Sequence, residues 1–182
     1  RWKENIKWKR KNYDLHNILG FYASWIAIGL ALTGLVWGFE WFSNSVYWVA
    51  AAGKERKPYI EAYSDTTTQL RLPVKPIDWV YQKLSAENPE AQTIEIHFPE
   101  ERKSAIAAST NVEAGTYWQN DYRNFDQYTL KEIEVAHPWG RFKNASLADK
   151  VVRMNYDIHV GAIFGLKGKI LPVLPGPGGL NL

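Results

Sequence analysis

The chain has 182 residues, with 22 Lys and Arg against 19 Asp and Glu, nine Trp, ten Tyr and no cysteine. The lack of cysteine excludes disulfides and thiolate metal sites. Residues 1–14 carry six basic and two acidic groups, whereas residues 43–155 carry 14 and 15; the basic excess is a flank, and a basic face for nucleic acid is excluded.

Residues 15–39 contain no Asp, Glu, Lys or Arg and are rich in Leu, Ile, Ala, Gly and Trp. Roughly 20 such residues cross a bilayer core as a helix, so this stretch allows for a tilt. The preceding Arg1, Lys3, Lys7, Lys9, Arg10 and Lys11 mark the cytoplasmic side. The stretch is longer than the apolar core of a secretory signal, and no small-x-small cleavage site follows it. Trp8, Tyr13, Phe21 and Tyr22 gather at one end, and Trp37, Phe39, Trp41, Phe42, Tyr47 and Trp48 at the other. Aromatic girdles of this kind belong to a retained helix. The division is a flank over 1–14, a transmembrane helix over 15–42, an extracytoplasmic domain over 43–155 and a membrane re-entry segment over 156–182.

Steps of three and four along the helix pass through His16, Gly20, Ser24, Ala27, Ala31, Gly34 and Gly38. These positions share one face, and every member after His16 is small. Such a stripe lets another helix, or a flat cofactor, approach the backbone closely. His16 at its head is a candidate functional group, because ionisable residues facing a bundle interior are costly to keep.

Residues 43–58 read as an exit segment. Residues 76–86 begin with Pro76 and place Ile77, Val80, Tyr81 and Leu84 on one helical face. Residues 93–98 alternate, with Ile94, Ile96 and Phe98 on one side and Glu95 and His97 on the other, as a half-buried strand does. Residues 104–109 and 122–135, the latter broken at 126–129, read as further strands and a turn. Residues 144–156 read as a helix capped by Ser146, with Leu147, Val151, Val152 and Met154 as its apolar members. The fold class is α+β, with helices packed on an antiparallel sheet. His97 and His137 have no spaced second ligand and read as solvated. No phosphate-binding loop or nucleophile elbow occurs, and no catalytic residue is assigned.

Two segments carry a family resemblance. Asp14-Leu15-His16, Gly20-Phe21-Tyr22 and Leu32-Thr33-Gly34-Leu35-Val36-Trp37 resemble the first helix of the PepSY-associated transmembrane proteins. Arg153-Met154-Asn155-Tyr156-Asp157-Ile158-His159-Val160-Gly161, with Ile163-Phe164-Gly165, resembles that family's return to the membrane. Phe125-Asp126-Gln127-Tyr128-Thr129 resembles the strand-turn signature of the PepSY domain. The resemblance implies a bacterial inner-membrane protein linked to iron or siderophore uptake, similar to haem-b siderophore reductases. Carried over by motif, His16 and His159 become axial ligands of haem iron, and haem b the cofactor. The two histidines then stand roughly 30 Å apart across the bilayer core and serve different haems. Each haem needs a second ligand from further transmembrane helices outside this chain. Lys167, Lys169, Pro172, Pro175, Pro177 and Gly178-Gly179 break the re-entry stretch, so the chain reads as a fragment.

The implied function is electron transfer across the membrane to a ferric siderophore, with the lipid bilayer and further helices as partners. The alternative is a membrane-anchored PepSY binding or regulatory module without catalysis. Whether the chain is an enzyme stays open. On either reading, a reporter fused after Trp48 is active only if its enzyme works outside the cytoplasm. Activity of a cytoplasm-only reporter at that point contradicts the topology.

Overall fold

The computed structural model describes residues 7–68 and 74–165. Arg1, Lys3 and the re-entry residues from 166 onward, with the breaks at Lys167 to Gly179, lie outside the described residues. The first helix, α1, spans Trp8–Gly38 and is the one described helix long and apolar enough to cross a membrane, with a mean hydropathy of 1.8 over its most apolar 18 residues. No residue of it is fully buried within the chain, and most of its apolar side chains are exposed, apart from those near its C-terminal end such as half-buried Leu30 and Val36. It starts earlier than the expected 15–42 span, where Arg10 and Asp14 pair at 3.1 Å one turn apart. It also stops earlier, because Phe39 takes extended backbone angles (φ −135°, ψ 114°).

A second helix, α2, follows at once over Glu40–Ala50 and replaces the first part of the expected exit segment. Glu40 lies in its first turn, where a carboxylate favours the helix dipole. Ser43 and Tyr47, four residues apart, form its buried face. Tyr47 therefore leaves the exposed aromatic girdle in which the sequence placed it. Its hydroxyl donates to Asp149 Oδ1 at 3.1 Å, and burial followed by that carboxylate raises its pKa.

The α+β domain is built on a four-stranded antiparallel sheet in the order β1-β2-β3-β4, over Thr93–His97, Ile106–Asn111, Asp121–Phe125 and Glu132–Ile133. Phe98 lies beyond β1 and is exposed rather than on the buried side. β2 sits two residues later than the expected 104–109. Helix α3, Pro76–Glu87, lays Val80 and Leu84 on Ile106, Ala108 and Phe125, with Ile77, Trp79, Ile94 and Ile96 around them. Tyr81, expected on this face, is exposed, and Trp79 meets Phe125 edge-on instead.

The 126–129 turn is held from both sides. Asp126 Oδ1 accepts from the amides of Tyr128 and Thr129 at 2.8 and 2.7 Å, and its other oxygen accepts from the amide of Asp65. Gln127 Nε2 donates to the carbonyls of Glu101, Arg102 and Ser104. The turn thus ties the chain before β2 to the chain after β3.

Helix α4, Leu147–His159, corrects the sequence reading most. Ser146 does cap it, in a reciprocal capping box with Asp149. Its buried residues, however, are Ala148, Arg153, Asn155 and Asp157, while Leu147 and Val151 are exposed. The Arg153 guanidinium is 1 % exposed and donates to the carbonyls of Pro138, Asn120 and Gly140 at 2.7 to 2.9 Å. The Asp157 carboxylate, fully buried, accepts from the amides of Tyr117 and Trp118. Buried charges are tolerated where every polar atom finds a partner, and here unpaired loop backbone supplies the partners.

An ion-pair chain closes the far side of the sheet. Arg123, 4 % exposed, donates to Glu87 of α3 and Glu132 of β4, and Arg141 bridges Glu132 to Asp121. Hydrogen bonds from Lys83 and then Arg123 hold the Glu87 carboxyl at about 2, against an ordinary 4.5. A carboxyl depressed on folding stabilises the fold above its unfolded value, and that stabilisation is lost as pH falls through the folded one. The urea midpoint of the domain should therefore drop between pH 4.5 and about 2. Glu87→Gln should lower the midpoint at neutral pH and flatten this acid limb; an unchanged acid limb contradicts the pairing.

Candidate functional site

The last two turns of α4 lie against the C-terminal third of α1. Five side chains make the junction, Asn155, Tyr156 and His159 from α4 and Thr33 and Trp37 from α1. Asn155 Nδ2 donates to the carbonyl of Thr33 at 3.1 Å. Tyr156 stacks on Trp37, with ring centroids 5.6 Å apart and planes at 25°. His159 lies 5.3 Å from the Trp37 ring, and its Nδ1 is 2.8 Å from Thr33 Oγ1. A Cβ built on Gly34 would stand 3.7 Å from His159 Cε1, so the glycine leaves room for the imidazole edge. Gly161, at φ +70°, ends the helix just beyond, a left-handed position that suits glycine.

The hydroxyl of Thr33 holds His159 through Nδ1. The carbonyls of Gly29 and Leu30, at 3.0 and 2.9 Å, are within reach of its single proton. With the proton on either carbonyl, Thr33 Oγ1 accepts and His159 donates through Nδ1–H. In the neutral ring Nε2 is then the nitrogen with a free lone pair, and among the described residues it has no hydrogen bond. An imidazole oriented through one nitrogen, with the other bare, is the form in which histidine binds a metal.

His16 is exposed near the opposite end of α1. Seventeen residues separate it from Thr33, about 25 Å along the helix axis. The structure therefore does not bring His16 and His159 together. Of the stripe, only Gly34 meets another described element. Cβ atoms at Gly20 and Gly38 would meet nothing within 4 Å, Ala27 and Ala31 are exposed, and Ser24 Oγ turns back to the carbonyl of Phe21.

The other two histidines divide. His97 is exposed on β1. His137, expected to be solvated, is 8 % exposed, with its ring 4.6 Å from that of Tyr59. Its Nδ1 accepts from the Trp139 amide at 3.1 Å. Burial, and then the charge of Arg153, lower its pKa, and its ring packs against Tyr59. Among the described residues no three His, Cys, Asp or Glu side chains group as a metal site.

Sequence reasoning singled out His159 but not its partner Thr33, nor the roles of Asn155 and Asp157. Thr33 reads from sequence as one more small residue of a membrane helix. Its partner is 126 positions away, which helical spacing cannot reveal.

The family model of the PepSY-associated TM region matches residues 1–180. No curated protein matches the chain.

The tautomer is directly measurable. With histidine labelled in ¹⁵N, His159 should show a protonated Nδ1 and an imine-type Nε2. Thr33→Val removes the acceptor and should shift the ring toward the Nε2–H form, while His97 stays unchanged. A wild-type His159 protonated at Nε2 would contradict the assignment.

Proposed function

From the premise that the chain belongs to the PepSY-associated transmembrane family, and is thus a membrane-associated PepSY protein, we propose that it carries one iron ligand for each of two haems and serves electron transfer across the membrane. The observation that carries this reading is the His159 ring held at Nδ1 by Thr33 Oγ1, with Nε2 making no hydrogen bond among the described residues. The donor chemistry fits haem b, which takes neutral imidazole nitrogen as an axial ligand. When bound, haem supplies a one-electron couple whose potential follows from its ligands and their burial.

The chain's own residues do the positioning. Thr33 engages Nδ1 of His159, Trp37 and Tyr156 wall the ring, and Gly34 admits its edge. His16 is the corresponding ligand at the inner end, beside the open surface of Gly20. The axial distance of about 25 Å supports a separate haem for each ring. Helices outside this chain complete each site. The domain lies in the periplasm of a bacterial inner-membrane protein, and the acceptor is a ferric siderophore met on that side.

Haem content per polypeptide of the full-length membrane protein tests this reading. His16→Ala and His159→Ala should each lower it by about half, and the double variant should nearly abolish it, because Ala offers no lone pair. His97→Ala should leave it unchanged. Full content in both single variants, or no haem in the intact protein, would leave the anchored binding module as the function.

A further inference from the structure

A cavity of about 690 Å³ opens where α1, α2 and α4 meet the start of β3. Its walls are aromatic: Trp37, Tyr117, Tyr122, Trp139 and Tyr156. Trp37 and Tyr156 stack, Tyr117 stands edge-on to Tyr156 at 88°, and Tyr122 edge-on to Trp139 at 85°. Such walls offer both ring faces and ring edges to a flat guest. The volume is that of a small-molecule site.

The polar groups define the rest of the guest. Arg56, half-buried, lines the cavity, and its hydrogen bond among the described residues is the one Nη1 donates to Ser43 Oγ at 3.1 Å. No described carboxylate pairs with it, although Glu40 lines the same cavity. The Arg153 guanidinium, also in the wall, is held by backbone carbonyls at each of its three nitrogens. Asp149 and Asp121 act on Arg153 from behind the wall, whereas Arg56 keeps donors to spare. A guanidinium fork with unused donors suits a carboxylate, which it binds through two parallel hydrogen bonds.

We propose that this cavity is a binding site for a small planar aryl carboxylate, with the ring between the aromatic walls and the carboxylate on Arg56. The Trp37 ring forms the partition between this site and His159. The site needs no iron at His159, so it stands or falls separately from the haem reading.

Calorimetry on the full chain in phosphatidylcholine nanodiscs, with empty nanodiscs subtracted, tests the proposal with 1-naphthoate as the probe. Naphthoate should bind at least about tenfold more tightly than 1-naphthalenemethanol, which lacks the charge, and than cyclohexanecarboxylate, which lacks the ring. Arg56→Gln should remove that advantage over the alcohol, and Arg56→Lys should restore only part of it. The ligand comparison uses unaltered protein, so it decides even if a variant fails to fold. Equal binding of the three probes overturns the proposal. So does loss of naphthoate binding in nanodiscs of anionic phosphatidylglycerol, which would assign Arg56 to lipid headgroups.

Discussion

A guanidinium and a carboxylate four residues apart on α4 are both shut off from water, and each is answered by loop backbone rather than by the other. Arg153 gathers the carbonyls of Asn120, Pro138 and Gly140, and Asp157 gathers the amides of Tyr117 and Trp118. Removing either side chain leaves buried backbone groups without partners, at about 1–3 kcal/mol for each such group. The two side chains thereby fix two loops of the domain to one helix, and they fix the azimuth of that helix. Once Arg153 and Asp157 point inward, Asn155, Tyr156 and His159 are carried to α1.

The helix is consequently the mechanical link between the membrane segment and the sheet. Its N-terminal end is tied to α2 through Asp149 and Tyr47, and its C-terminal end to α1 through Thr33 and Trp37. The position of His159 along α1 is then set by the domain. A ligand-bearing imidazole is best held by packing and by a hydrogen bond on its second nitrogen, and both are present here. The aromatic cavity borders the same junction, sharing Trp37 and Tyr156 with it.

The long apolar helix, the α3 face centred on Val80 and Leu84, the alternating strand at Ile94 and Ile96, and the Ser146 cap were legible in the sequence because each depends on neighbours in the chain. The α4 face was not. An apolar-inward rule assigns Leu147 and Val151 to the core, yet both are exposed while Arg153 and Asp157 are buried. That rule fails wherever distant backbone satisfies a charge, and sequence periodicity carries no trace of such partners. His137 was missed for the same reason, since Tyr59 and the Trp139 amide that enclose it come from its fold and its loop. The break at Phe39 was also hidden, because Trp41, Phe42, Tyr47 and Trp48 continue the aromatic girdle on the far side of Glu40. The candidate site was half legible: motif likeness picked out His159, whereas the bond that orients it spans 126 positions.

Docking of α4 on α1 at Thr33 is the claim on which the site depends, and the chain's lack of cysteine makes it simple to probe. Thr33→Cys combined with His159→Cys, treated in membranes with a short thiol-to-thiol cross-linker, should close an intramolecular link in high yield. The pair Gly20→Cys and His159→Cys, displaced by about 20 Å along the helix, should not. Failure of the 33–159 pair to cross-link, or equal yield from the 20–159 pair, would contradict the account.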